Sequence, residues 1–228
     1  MLQNPKIFII IPAYNEEENI SPVLTELTQK YNNIIVIDDS STDNTVQIAK
    51  KFPIVLIKHK INRGQGAALQ TGNEYAFNNG ADIIVHFDAD GQFLVEEIKD
   101  IIQPIIRENY DVVLGSRFLE KKSKMPWFKK NILFPMARLV NKIFGGINLK
   151  DPQNGFRAFQ AHLTPKLKMQ QDGSAHCSEF LYKAFYHQLK IKEVPITVDY
   201  EKYGQGLFSG KGRGTGGLKI IKDLIFKK

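Results

Sequence analysis

Apolar and polar positions follow two rhythms along the first half of the chain. Short β-branched apolar runs at Lys6–Ile11, Asn33–Ile37, Ile54–Lys58, Asp82–Phe87 and Asp111–Leu114 predict strands. Between them, Glu16–Lys30, Asp43–Lys51, Gly66–Asn78 and Leu94–Glu108 repeat apolar residues at helical spacing and predict helices. Such alternation predicts an α/β fold with a mainly parallel central sheet flanked by helices.

The second half is less regular. Trp127–Phe144 places Ile132, Met136, Leu139, Val140, Ile143 and Phe144 on a helical stripe among Lys129, Lys130, Arg138 and Lys142, with Pro135 bending or breaking it. A helix from about Ser178 to Leu189 and a strand at Glu193–Val198 are expected next. Gly204–Gly217 then holds seven glycines, with Lys211 and Arg213 among them, and reads as a loop. No repeat or linker separates a second unit, so residues 1–228 are read as one domain with halves 1–114 and 115–228.

In a parallel sheet, ligands bind beyond the carboxyl ends of the strands. In chain order, the predicted strands are followed there by Pro12-Ala13-Tyr14-Asn15-Glu16-Glu17, by Asp38-Asp39-Ser40-Ser41-Thr42-Asp43, by Asn62-Arg63-Gly64-Gln65-Gly66, by Asp88-Ala89-Asp90-Gly91-Gln92 and by Gly115-Ser116-Arg117. Each strand therefore delivers polar residues to one edge. Asn15 is expected to cap the first helix, with Glu16 to Glu18 in its first turn, and Thr42 or Asp43 to cap the second.

Charge sharpens this division. The net charge of +7 conceals halves of opposite sign: residues 1–114 hold 9 Lys+Arg against 16 Asp+Glu, a net of −7, and the remainder holds 22 against 8, a net of +14. The basic half suits nucleic acid, an anionic membrane surface or a phosphorylated substrate. The single cysteine, Cys177, excludes a disulfide framework and any multi-cysteine zinc site, and fits a reducing, cytoplasmic compartment. No apolar run approaches the roughly 20 residues needed to span a bilayer, and the first residues do not read as a secretory signal.

The strongest chemical feature is Asp88-Ala89-Asp90. Two carboxylates at i and i+2 after an apolar strand project together and would raise each other's pKa, a conflict that hard Mg²⁺ or Mn²⁺ resolves while keeping positions for substrate phosphate. Gln92 adds a neutral oxygen ligand; the bland alternative is a turn with two solvated aspartates. A carboxylate at Asp38 or Asp39 can accept hydrogen bonds from a ribose or base, and Tyr14 can stack on a base or simply pack. Asn62 to Gly66 is neither a P-loop nor a dinucleotide fingerprint, yet its glycines let backbone approach a diphosphate.

Taken in order, Pro12-x-Tyr14-Asn15-Glu16, Asp38-Asp39-x-Ser41, Asn62-x-Gly64-x-Gly66, Asp88-Ala89-Asp90-x-Gln92, Gly115-Ser116-Arg117 and Asn154-Gly155-Phe156-Arg157 resemble family 2 glycosyltransferases of the GT-A fold. The nearest branch is that of polyprenyl-phosphate sugar synthases of the dolichyl-phosphate mannose synthase kind, and the resemblance spans about residues 6 to 215. It implies a Rossmann-like donor half in which Pro12, Tyr14, Glu16 and Asp39 bind the nucleoside of a UDP- or GDP-sugar. Asp88, Asp90 and Gln92 would hold the metal and diphosphate, with Asp90 and Arg117 also counted as catalytic. It further implies that Arg117 and Arg157 receive an acceptor phosphate and that Lys211 and Arg213 lie over the donor diphosphate, although Ser209 to Thr215 departs from the usual spacing.

The implied reaction is metal-dependent, inverting sugar transfer to a polyprenyl phosphate at the cytoplasmic membrane face. Trp127–Phe144 would lie on the anionic leaflet, and a small membrane protein would be a possible docking partner, since the chain carries no appended membrane helices of the kind common in such synthases. A saccharide hydroxyl acceptor is the alternative; it needs a base, for which Glu179 in His176-Cys177-Ser178-Glu179 is the candidate. His176 can support the site but is more simply structural, and Cys177 is expected to be buried. An aspartate-nucleophile phosphatase is disfavoured because Gln92 stands where its motif has Thr and the motif follows the fourth strand. A nucleic-acid binder is disfavoured because the acidic half would repel phosphate and no RNA or DNA motif is present.

Overall fold

The structure is a computed structural model that describes residues 4–119, 149–173 and 175–198. Among these, β1 is Ile7–Ala13, α1 Ile20–Thr28, β2 Ile34–Asp38, α2 Thr45–Ala49, β3 Val55–Lys58, α3 Gln65–Asn78, β4 Ile83–His86, α4 Ile98–Glu108 and β5 Val112–Ser116. They are followed by β6 at Arg157–Gln160, α5 at His176–Tyr186 and β7 at Ile191–Pro195. The strands form one seven-stranded sheet in the order β3-β2-β1-β4-β6-β5-β7. It is parallel except for β6, which runs antiparallel to both β4 and β5.

Strand periodicity divides the core between two faces. Ile9 and Ile11 of β1 face α1 and α4, whose Ile20, Val23, Leu24 and Leu27, and Ile98, Ile101, Ile102 and Ile105, follow the i, i+3, i+4, i+7 spacing of a buried helical stripe. Phe8 and Ile10 face the other way, toward α3 and α5, and join Ala68, Leu69, Phe180 and Leu181. Helices on both faces bury the central strands completely, which is why these strands are continuously apolar. Gly72 lets α3 lie close to β1, because a Cβ there would meet Ile10 Cγ2 at 2.3 Å.

Three boundaries differ from expectation, each for a local reason. The first helix starts at Ile20 instead of Glu16, because Asn15 adopts a left-handed φ of 54° and turns the chain, so it does not cap α1. β6 was not expected at all. It is short and carries a buried arginine, so it lacks the apolar signature of a strand. β7 precedes its expected position, and Val198 joins only an isolated bridge to Phe93. Among the described residues no helix is long and apolar enough to cross a membrane. The expectations for Trp127–Phe144, Lys211 and Arg213 lie outside the described residues.

Candidate functional site

The loops after β1 and β2 are zipped together at the carboxyl edge. The Asn15 amide donates to Ser41 Oγ at 2.9 Å, and Asn15 Oδ1 accepts the Thr42 amide at 2.9 Å. One residue further on, the Glu16 amide donates to Thr45 Oγ1 at 2.8 Å. Asp43 accepts the amides of Thr45 and Glu17, but the N-cap position of α2 is held by Asn44 without a side-chain cap bond, so neither Thr42 nor Asp43 is the cap. Pro12 is buried, Glu16 is 6% exposed with its carboxylate accepting Asn19 Nδ2 at 2.9 Å, and Tyr14 stands out at 38% exposure. Of the four residues expected at a nucleoside, Tyr14 is exposed, while Pro12, Glu16 and Asp39 are buried.

Asp39 organises the neighbouring glycine loop. Its carboxylate accepts the Gly64 amide at 2.6 Å and the Arg63 amide at 3.0 Å, and meets His59 Nδ1 at 2.7 Å. His59 is fixed in turn by Thr71 Oγ1 at 2.9 Å. Gly64, at φ 106°, takes a backbone conformation that only glycine adopts without strain. Gly66 donates its amide to Asp172 O at 2.8 Å, and a Cβ there would lie 2.1 Å from Gln171 O. The segment 171–173 therefore rests directly on the turn that leads into α3.

At the end of β4, Asp90 Oδ1 accepts the Gln92 amide at 3.1 Å across a turn closed by Gly91 at φ 70°. Asp88 Oδ1 accepts Gln65 Nε2 from the head of α3 at 2.9 Å. From the other side, a Cβ on Gly155 would lie 2.9 Å from Asp88 Oδ2, so the turn before β6 comes right up to this carboxylate. Both aspartates are half-buried. No cluster of three or more His, Cys, Asp or Glu is present among the described residues. Two carboxylates with few protein ligands match a Mg²⁺ or Mn²⁺ ion that keeps positions for water and phosphate.

Beyond β5 the cations are already engaged. Arg117 forms a fork with Asp151, Nε to Oδ2 at 2.6 Å and Nη2 to Oδ1 at 2.6 Å, and its own amide donates to Oδ2 at 3.0 Å. Asp151 is held by Glu193 of β7, whose carboxylate accepts the Asp151 and Lys150 amides at 2.8 Å each. Arg157 corrects an expectation. It is 1% exposed on β6, with its guanidinium directed to Cys177 Sγ at 3.0 Å and the Phe180 ring at 4.7 Å, so it lies under the site and presents no surface to an incoming phosphate.

Glu179 is also otherwise employed. Its carboxylate accepts the Gln170 and Gln171 amides at 2.9 and 2.8 Å and pairs with Lys183 at 2.7 Å, which makes it the anchor of that loop. Asp151, Glu193 and His59 were not singled out from the sequence, and Gln65 was read only as part of the glycine segment Asn62 to Gly66. The turn-forming Asp151-Pro152 pair is a signal for the first of these, whereas Glu193 and His59 carry no local pattern.

The family model for glycosyl transferase family 2 matches residues 8–167. The UDP-N-acetylglucosamine--dolichyl-phosphate N-acetylglucosaminyltransferase of Methanococcus voltae is 37% identical, with 97% of this chain and 96% of the relative covered. The polyprenol monophosphomannose synthase of Mycolicibacterium smegmatis is 25% identical over 97% of this chain and 85% of its own. Among solved structures, glucosyl-3-phosphoglycerate synthase from Mycobacterium tuberculosis, in complex with Mn²⁺, UDP-glucose and glycerol 3-phosphate, superposes with a TM-score of 0.74 at 19% identity. The match covers 97% of this chain and 79% of that one, and supports the fold. The strand-end loops thus stand on a GT-A scaffold, and the chain belongs to glycosyl transferase family 2.

Proposed function

We propose that this glycosyltransferase moves a sugar from a UDP- or GDP-linked donor to a polyprenyl phosphate at the inner face of the cell membrane. Residues 1–114 would bind the donor and residues 115–228 the acceptor, within one domain. The observation that carries the reading is the position of Asp88: its carboxylate is bonded by Gln65 from the donor half and faced by Gly155 from the acceptor half. The relatives named above are a dolichyl-phosphate N-acetylglucosaminyltransferase and a polyprenol monophosphomannose synthase, which supports the acceptor class.

In this reading Tyr14 packs on the base, and Asp39 sets the glycine turn so that its backbone can approach the diphosphate. Asp88 and Asp90, with the Gln92 side-chain oxygen, would hold Mg²⁺ or Mn²⁺, which when bound supplies neutralising charge to the departing nucleoside diphosphate. An acceptor oxygen attacks the anomeric carbon from the face opposite the leaving group, forming the new C–O bond as the old one breaks, with inversion. Arg117, fixed by Asp151, orients the anionic acceptor. Lys211 and Arg213 are proposed over the donor diphosphate, and segment 127–144 at an anionic membrane surface, alone or with a small membrane protein. No nucleic acid is involved.

A saccharide hydroxyl is the second reading. The engagement of Glu179 in holding residues 170–171 favours the phosphate, which is already ionised and requires no base. The deciding experiment incubates the protein with a panel of UDP- and GDP-sugars, polyprenyl phosphate and Mg²⁺ or Mn²⁺, and measures lipid-linked product by mass. Product on the lipid phosphate supports the proposal; transfer only to saccharide hydroxyls overturns it.

A further inference from the structure

Arg157 is the largest fully buried side chain among the described residues, at 1% exposure. Arginine stays charged in any protein environment, and an isolated cation in the interior is costly. No carboxylate pairs with Arg157 among the described residues. Its guanidinium instead donates from Nη2 to Cys177 Sγ at 3.0 Å, reaches Gly155 O at 3.4 Å from Nε, and lies 4.7 Å from the centre of the Phe180 ring. The sulfur is the one atom in this set able to carry a full negative charge.

We infer that Cys177 is held as a thiolate serving as the counter-ion of Arg157, and that this buried pair is a positioning element for the segment resting on the glycine turn. Three features favour the anion. Cys177 lies in the first turn of the eleven-residue helix α5, where the helix dipole stabilises negative charge. Arg157 donates to its sulfur from β6. His176 Nε2 lies 3.3 Å from the same sulfur, while His176 Nδ1 faces Gly173 O at 2.9 Å. A carbonyl only accepts, so Nδ1 carries a hydrogen and Nε2 is the position that takes the thiol proton, giving an imidazolium beside the thiolate.

The titratable groups around the sulfur are consistent with this charge pattern. Burial opposes the Cys177 thiolate, yet His176 and Arg157 together hold the thiol below its usual range. Burial opposes the His176 cation, yet Cys177 raises its pKa. His86, opposite Arg157 in the β4–β6 register, is kept neutral first by burial and then by the Arg157 and His176 charges. Its Nε2 meets Asn73 Oδ1 at 2.8 Å.

The pair connects to the site through α5. Gly173 O also accepts the His176 amide at 3.1 Å, the adjacent Asp172 O accepts the Gly66 amide at 2.8 Å, and a Cβ on Gly66 would meet His176 Cβ at 2.8 Å. The part of the inference that concerns donor binding rests on the proposed function; the charge state of the sulfur does not.

Because the chain holds a single cysteine, its ionisation is read directly from the ultraviolet absorbance of the thiolate between pH 4 and 10, with iodoacetamide alkylation as a second readout. The expected midpoint lies at least one pH unit below the free-thiol value of about 8.5, and Arg157→Met or His176→Gln, whichever folds, moves it upward. A wild-type midpoint at or above about 8.5, or an unchanged midpoint in a folded variant, overturns the ion pair. For positioning, Cys177→Ala is expected to raise the KM for the nucleotide sugar severalfold with little change in kcat, and Cys177→Asp, which restores an anion, to recover it. Equal KM values in all three proteins would remove the positioning role while leaving the titration result intact. If no nucleotide sugar is used, the proposed function fails and the titration still decides the pair.

Discussion

Arg117 and Asp151, 34 positions apart in the chain, meet through two side-chain hydrogen bonds of 2.6 Å, with Asp151 itself fully buried. Their charges offset one another locally, so in the proposed reading Arg117 would act as an oriented donor more than as a source of net positive charge. Asp151→Ala leaves the guanidinium without its counter-charge and is expected to cost about 3 kcal/mol of stability. Asp151→Asn preserves shape, and is expected to fold while raising the KM for the acceptor more than that for the donor. Steady-state kinetics with each substrate varied would check this; parallel changes in both would separate Arg117 from acceptor binding.

Asp39 satisfies the Arg63 and Gly64 amides and pairs with His59. Replacing it by Ala leaves part-buried donors without their acceptor, at about 1 kcal/mol each, the low end for an unsatisfied group. The expected result is a lower Tm and, in the proposed reading, weaker binding of the nucleoside diphosphate in titration calorimetry.

Gly155→Ala separates geometry from stability. Its Cβ would press on the end of a flexible carboxylate, Asp88 Oδ2, at 2.9 Å. Thermal melting should stay near wild type while turnover falls at least tenfold, since small displacements of a reacting constellation are costly. A variant with wild-type turnover would show that Asp88 has freedom to move aside.

Asp88→Asn and Asp90→Asn are each expected to lower kcat by 100-fold or more, roughly the scale of losing a principal electrostatic stabiliser. Added EDTA should reproduce the loss in the wild type, and excess Mn²⁺ should reverse it. Full activity in chelator would exclude the proposed metal role.

Asp43 gives a pH signature. Burial works against its charge, but hydrogen bonds from Thr45 and the Glu17 amide prevail and lower its pKa from 3.8. A carboxylate depressed in the folded state stabilises above its unfolded pKa and loses that contribution as pH falls through the folded value. Asp43→Ala should therefore lower the Tm at pH 7, by the equivalent of about 0.5–1 kcal/mol for a partly exposed helix-start residue. The difference should shrink toward acid, and a pH-independent difference would assign the loss to packing.

β1, β2, β4 and β5 were legible because burial on both faces leaves them with apolar runs such as Ile34–Ile37, while the partly buried edge strand β3 was legible from its short Val-Leu-Ile run. The same logic hid β6, whose first residue, Arg157, is buried by pairing with sulfur and an aromatic ring instead of by being apolar. Asp39, Asp88 and Asp90 could be picked out because they lie in the segments that follow the apolar runs of β2 and β4. Their partners come from elsewhere in the chain, His59 from the end of β3, Gln65 from the head of α3 and Gly155 from the turn before β6, and only the sheet order brings them close. Asn15 misled because asparagine favours both helix caps and left-handed turns, and the turn prevailed here through its bonds to Ser41 and Thr42.

The antiparallel strand β6 also dictates an order of assembly. It alone joins β4 to β5 in the described sheet, so without it the β3-β2-β1-β4 block and the β5-β7 block share no hydrogen-bonded edge. A nascent chain can close the sheet only after residues 157–160 have emerged, and until then the open side of β4 is an unpaired edge. The Asp88 turn and the Asp151 turn lie on either side of that junction, so their relative register is set through β6.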